Sequence, residues 1–508
     1  MSPTIGLNSI EENYREVTGA TVGGLVIPEF YHLTNGVQGS ISTNTSSKYR
    51  LFGMYANAYL GFKNFVFAEY SARKDWSSTL PKGKRGFFYQ GVGLSFVPSN
   101  LSNWNDNIVS YLKLRGSIGT AGKDAPKYRL NTYYNLNPII LDYGDDYRVR
   151  FPFGDGAGAN KSNFIGNPDL KPELSLTTEV GIDIGLIKDR LSLEYTYYII
   201  DSKNQIVDVN IPWSSGFSVI PSNIGRMQNK GHELSLKAKP IKTKNFNWDL
   251  FVNFSKNDNV VKTILENEDE TDELNIYAGL VHFAGHGSLN LVAAEGKPFG
   301  TFKGTTYVYN EGRLVVDGTG NPKQSNTLEY LGSYQADYLM NFGTELKFKN
   351  LALNVIFDKR QGGLFFSGTK LSTEFNGTAS TTTLNDRKEF VIPNSVDENG
   401  DANKANTQAY AYFKGLPASA FLLDASYLKL RELSLSYELS AKGCLSNTGF
   451  KSAIISIFGR NLKYWLPSEN TFADPEVGGV GGASDAVGIE TTTTPSFRSY
   501  GAEIRLKF

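Results

Sequence analysis

The sequence predicts an all-β, antiparallel transmembrane β-barrel, and three observations carry that prediction. Strand-length segments alternate apolar and polar residues from residue 48 to the end of the chain. The links between them alternate short and long. The last segment, Tyr500-Gly-Ala-Glu-Ile-Arg-Leu-Lys-Phe508, stops on an aromatic residue, with Tyr500, Ala502, Ile504, Leu506 and Phe508 on one face. A period of two turns successive side chains to opposite faces of a strand, so each segment has one apolar and one polar side. A closing strand of an outer-membrane barrel needs that pattern, with Tyr500 and Phe508 marking the barrel terminus.

The elements follow in order. Residues 1–47 are expected to be the remainder of an outer loop leading into the barrel, and 48–508 the barrel itself. Phe52, Met54, Ala56, Ala58 and Leu60 share one face, then Val66, Ala68, Tyr70 and Ala72, then Phe88, Val92, Leu94 and Phe96. Leu112, Leu114 and Ile118 oppose Lys113, Arg115 and Ser117. The run from Leu174 to Leu186 alternates throughout, and Leu191 to Ile199, Leu234 to Ala238 and Trp248 to Phe254 continue it. Further strands are predicted over 333–347, 350–362, 425–438, 450–463 and 496–508, about thirteen in all. Many approach the roughly ten residues that a tilted membrane strand requires. Within 425–438 the phase slips from Leu428 and Leu430 to Leu433, Leu435 and Tyr437, which predicts a bulge near Arg431-Glu432. Short links are expected at 61–64, 98–107, 187–190, 240–247, 348–350 and 440–450. Long ones are expected at 75–86, 119–173, 201–228, 258–332, 362–424 and 463–495. Short periplasmic turns and long extracellular loops are what a barrel predicts, and a soluble sandwich has no reason to sort its links this way.

Composition agrees. Hydrophobic residues make up 40% and aromatics 13%, with 28 Tyr and 32 Phe, while no long apolar run marks a membrane helix. Alternation hides hydrophobicity from averages, and aromatic girdles raise the Tyr and Phe counts. Lys+Arg and Asp+Glu are both 51, so no net field favours nucleic acid. Cys444 stands alone, which excludes an intrachain disulfide and a cysteine-rich metal site. The first residues, Met1-Ser-Pro-Thr-Ile-Gly-Leu-Asn8, lack the basic and apolar regions of an export signal, although an outer-membrane protein must be exported. The expectation is a C-terminal portion of something longer.

Several segments then resemble the SusC/RagA family of TonB-linked outer-membrane transporters, the nutrient importers of Bacteroidetes, in its C-terminal half. They are Tyr70–Pro81 (YSARKDWSSTLP), Tyr111–Ser117 (YLKLRGS), Asn167–Glu173 (NPDLKPE), Asn223–Gly231 (NIGRMQNKG), Glu295–Gly300 (EGKPFG), Tyr427–Leu433 (YLKLREL) and Gly459–Leu462 (GRNL). Their order, through to a terminal Phe, covers nearly the whole chain. The resemblance implies a barrel of about 22 strands around a plug, of which this chain would supply only part. It also implies a SusD-like surface lipoprotein over the outer loops, energy from the TonB system through a plug domain that this sequence does not show, folding by the barrel-assembly machinery, and a seat in outer-membrane lipid. No cofactor and no enzymatic chemistry are implied. The expected function is import of oligosaccharides or peptides; a surface-exposed glycan-binding or adhesion barrel, or a passive porin, are the alternatives.

Other motifs weigh less. His282 and His286 have helical metal spacing, but Val281–Gly287 is glycine-interrupted and holds no carboxylate in the metalloprotease position. Gly154–Ser162 ends in Lys-Ser without the glycine a phosphate loop requires. His232, in phase with Leu234 and Leu236, reads as a girdle residue. Arg115, Glu179, Asp183, Glu194, Lys237 and Arg505 are expected to face the lumen, where they contact substrate or, more simply, pair with one another or with a plug. Trp213, Phe217 and Tyr309 fit sugar stacking and loop packing equally well.

Overall fold

The computed structural model describes residues 1–135, 140–142, 148–150, 159–264, 273–277, 287–440, 450–478 and 487–507. His282, His286, Cys444, Phe508 and Gly154–Gly158 lie outside the described residues. Beside several small sheets of shorter strands, fourteen strands form one antiparallel sheet in which each pairs with the members before and after it. They are β1 (Ser2–Thr21), β2 (Ser40–Phe62), β3 (Val66–Ser77), β4 (Gly86–Phe96), β5 (Val109–Lys123), β6 (Glu173–Leu186) and β7 (Leu191–Asn210). The second half comprises β8 (Val219–Lys242), β9 (Phe246–Thr263), β10 (Tyr338–Phe348), β11 (Leu351–Gln361), β12 (Tyr427–Ser440), β13 (Ser452–Trp465) and β14 (Ser499–Lys507). β1 and β14 are its two edges, so the sheet is an open arc.

One face of the arc is apolar and exposed: Val92, Leu94, Ile118, Val180, Ile455, Ile457 and Ile504 all lie on it. The opposite face is polar. The bulge expected near Arg431 is present, because Glu432 follows Leu430 in the pairing with both β11 and β13 and Arg431 is passed over. The extra residue resets the phase, so that Leu433 and Leu435 resume the apolar face left by Leu428 and Leu430.

Three expectations need correction. Residues 2–21 are a full strand, bonded to β2 from Ser2↔Tyr59 to Thr21↔Ser40, not the remainder of a loop. Only Ile5 and Leu7 mark its apolar face before Ser9, Glu11 and Asn13 interrupt the pattern, because the far half outruns the apolar band, where alternation is no longer required. The second is 201–228, read as a long loop. Instead β7 and β8 run on as a two-stranded ribbon joined by 211–218. Within the ribbon Asn204 (φ 57) and Gly225 (φ 22) drop out of the pairing, with the same register kept on either side. Gly225 is required there, since a Cβ would lie 1.5 Å from the Thr263 carbonyl oxygen. The link 78–85 also proves shorter than 97–108, against the expected contrast, although it joins strands at the long-loop end.

At that end the described parts of the links 264–337, 362–426 and 466–498 fold into one body. Leu289, Leu291 and Phe302 of the first pack with Phe366, Leu371, Phe413 and Phe421 of the second and Ile489 of the third. Leu364–Ser367 pairs antiparallel with Leu422–Asp424 and parallel with Ile489–Glu490, stitching the second and third links together. Helix α1 (Gly368–Phe375) starts at Ser367, whose side chain accepts from the Lys370 backbone N–H. The buried Glu490 carboxylate reaches over from the third link and accepts from Thr369 N at 3.0 Å and Thr369 Oγ1 at 2.8 Å. A carboxylate at a helix start satisfies donors that have no partner inside the helix.

Burial also pushes the Glu374 carboxyl above its ordinary value, against the opposing pull of Lys370 and of the Thr381 hydroxyl. A raised folded value contributes stability below the ordinary carboxylate range and loses it as pH rises through the folded value. Glu374→Gln is therefore expected to flatten the loss of cap stability between acid and neutral pH, measured by hydrogen exchange over 368–375. Phe302→Ala is expected to cost the cap about 3–5 kcal/mol, read as faster exchange across all three links while β5–β9 stay protected.

Candidate functional site

The polar face gathers its charges in two places. On β5–β7, Arg115 lies across the neighbouring strand. Its Nη2 donates to Thr196 Oγ1 at 2.7 Å and its Nε approaches Asp183 Oδ1 at 3.4 Å. Lys113 Nζ is 3.6 Å from the other Asp183 oxygen. Arg115 reaches so far because Gly181 faces it on β6, where a Cβ would sit 2.8 Å from the guanidinium. Glycine here is a matter of space, since its backbone is ordinary extended strand.

The second cluster is built on the bulge. Lys429 is completely buried; its Nζ donates to Asp474 Oδ1 at 2.8 Å and Glu476 Oε2 at 2.7 Å. The ammonium also lies over the rings of Tyr464 and Tyr427, at 4.2 and 4.7 Å from their centroids. Arg431, turned to the same side by the bulge, grips Glu476 through two nitrogens and bonds Asp358 and Asn461. Burial alone would raise the carboxyls of Asp474 and Glu476. Hydrogen bonds from Lys429, with Ser496 on Asp474 and Arg431 on Glu476, outweigh it and hold both below the usual range. The link 466–498 is thereby drawn down onto the polar face.

These clusters border one cavity of about 490 Å³, lined by Arg115, Glu194, Thr196, Asn341, Asp358 and Arg431 among others. Groups from β5 and from β12 meet around it, so the sheet curves about its polar side. Arg115, Asp183 and Glu194 are thus brought together, and Glu179 lines an adjoining cavity with Arg115. Arg505 is set apart: it bonds Glu503 on its own strand at 2.9 Å and borders a third cavity with Glu432 and Glu438. Lys237 is exposed on β8 opposite Ser192 and Phe251, outside these three cavities. Tyr500 is exposed on the apolar side of β14. His232 accepts or donates a 2.8 Å bond with the Tyr195 hydroxyl and lies 5.0 Å from the Tyr197 ring on the apolar face. Trp213 and Tyr309 are exposed on the outer links, and Phe217 lies under the Lys161 ammonium.

Sequence reasoning passed over Lys429, Asp474 and Glu476. Lys429 carried the same signal as Lys113, a cation between two strand leucines. Asp474 and Glu476 lie in a link without period. Five of the segments singled out by resemblance prove to be joints. Tyr427–Leu433 and Gly459–Leu462 meet at the Arg431–Asn461 bond. Asn167–Glu173 and Asn223–Gly231 meet where Lys171 N donates to Asn223 Oδ1 at 2.8 Å. Glu295 accepts from Ile264 N at 2.8 Å, beside Gly225.

Lys429→Met leaves the buried Asp474 carboxylate without its cation, while Glu476 keeps Arg431. It is expected to release 466–478 at a cost of roughly 3–5 kcal/mol, seen as faster hydrogen exchange in that segment. In the wild type the same release is expected on acidification. A lowered carboxyl value gives stability that is present above the ordinary range and lost as pH falls through the folded value.

The family model described as TonB dependent receptor-like, beta-barrel matches residues 8–356. TonB-dependent receptor P3 of Formosa agariphila is 25% identical over 93% of this chain and 46% of its own length. TonB-dependent receptor SusC of Bacteroides thetaiotaomicron is 25% identical over 80% of this chain and 39% of its own. The chain spans about half the length of these curated relatives or less. The structure of the RagAB peptide transporter aligns with 100% of this chain and 56% of that chain, with a TM-score of 0.71 at 20% identity, which shows a shared fold. The chain belongs to the TonB-dependent receptor-like β-barrel family, whose members reside in the outer membrane.

Proposed function

We propose that this chain forms part of the wall and the outer vestibule of an energy-coupled importer for oligosaccharides or peptides. The observation that carries the reading is the joining of three outer links into one folded cap beside a polar, charge-paired face. A barrel that only anchored itself would need neither. The polar face offers hydroxyls, amides and paired charges, which suit hydrated solutes. SusC and the RagAB peptide transporter support the reading by family and by fold respectively. In the proposed arrangement a SusD-like lipoprotein closes over the cap, and TonB draws energy into the passage through a plug. Asp474 and Glu476, held by Lys429 and Arg431, fix how far the last link intrudes upon it.

The test is uptake of a panel of labelled oligosaccharides and peptides by cells carrying the native protein, with and without a working TonB system. The reading predicts accumulation of at least one panel member that ceases when TonB is removed. Accumulation that persists without TonB would establish a passive pore, and surface retention without accumulation would establish a binding protein. Either result would overturn the importer.

A further inference from the structure

The end of the sheet opposite the cap carries a charge pattern that transport does not use. Three short turns, 187–190, 243–245 and 349–350, lie side by side: Lys239 N donates to the Arg190 carbonyl at 2.7 Å, and Lys349 N to the Asn245 carbonyl at 2.7 Å. On and beside them stand Lys188, Arg190, Lys239, Lys242, Lys244 and Lys349, all exposed. The carboxylate within this group, Asp189, is engaged by the Ser110 hydroxyl at 2.8 Å. Beside them, on the outward face, Phe348 is 54% exposed and Ile241 39%, and Ile187 within the first turn is 57% exposed. The Lys349 ammonium lies 5.5 Å from the centroid of the Phe348 ring.

We infer that this patch binds the phosphate headgroups of anionic phospholipid in the periplasmic leaflet. Long basic side chains rooted at the margin of an apolar band place their stems along hydrocarbon and their charges at headgroup level. Each cation near an anionic surface contributes additively to such binding. Its continuity with the exposed Ile187, Ile241 and Phe348 is what selects a lipid over a soluble acidic partner, which would leave those side chains in water. The turns belong to β6–β11, in the middle of the arc, so their exposure does not arise from its open edges. The inference rests on the orientation of the barrel and not on transport, so loss of the importer reading would leave it standing.

Native mass spectrometry of the protein extracted from its outer membrane in mild detergent tests it. Phosphatidylglycerol and phosphatidylethanolamine of identical acyl chains are titrated in competition, with a polyglutamate peptide as the alternative ligand. The wild type is expected to retain phosphatidylglycerol over phosphatidylethanolamine by roughly tenfold or more. The triple substitution Lys242→Gln, Lys244→Gln, Lys349→Gln is expected to bring the two toward parity, and the corresponding Arg triple to preserve the preference. Equal retention by the wild type, or a preference that the Gln triple leaves intact, would overturn the proposal. So would capture of polyglutamate with indifference to phosphatidylglycerol, which would assign the patch to an acidic protein.

Discussion

A strand in hydrocarbon must bond its entire backbone to neighbours and turn one face to lipid, and most features of this chain follow from that constraint. Unpaired backbone groups have no water to turn to inside a bilayer. The sheet therefore grows by adding each strand to the previous one, from β1 to β14 without a crossover. The lipid face leaves the other face free to hold Arg115, Asp183, Glu194, Asp358 and Lys429, charges that a soluble core of similar size would not tolerate without pairing. Even the irregular position obeys it: the bulge at Arg431 adds a cation to the polar side while returning Leu433 and Leu435 to the lipid.

That division of faces also explains where order is imposed on the links. A link at the outer end has water on every side and must make its own core. The buried cluster from Leu289 to Ile489 is such a core, drawn from three links far apart in sequence. The cap is fastened to the wall where a wall side chain accepts a cap backbone N–H, as Asn259 does from Phe299. Lys429 supplies the deepest fastening, because a fully buried ammonium between two carboxylates holds the third link to the wall.

The strands from β2 onward were legible because lipid and lumen impose a period of two on every residue between them. The bulge was legible as a slip of phase between Leu430 and Leu433. β1 was not, since Glu11, Asn13 and Arg15 lie beyond the apolar band and obey no alternation. The ribbon of β7 and β8 was hidden for the same reason. Of the polar candidates, Arg115, Asp183 and Glu194 were recognisable because each interrupts a run of apolar neighbours on a strand. The partners that draw the last link inward were not, because Asp474 and Glu476 follow Ala473 and Pro475 in a segment whose neighbours are set by tertiary contact alone. Leu291, Phe413 and Ile489 likewise share a core without sharing any local pattern.

The central claim is that alternate residues face lipid and a polar passage. Spin labels placed singly on β8 and β9, in a background lacking Cys444, test it most directly in the native membrane. Labels at Leu234, Leu236 and Val252 are predicted to relax with lipid-soluble oxygen and to resist a water-soluble nickel chelate. Labels at Ser235, Lys237 and Asn253 are predicted to do the reverse. Accessibility that failed to alternate with residue number, or alternated in the opposite phase, would contradict the account.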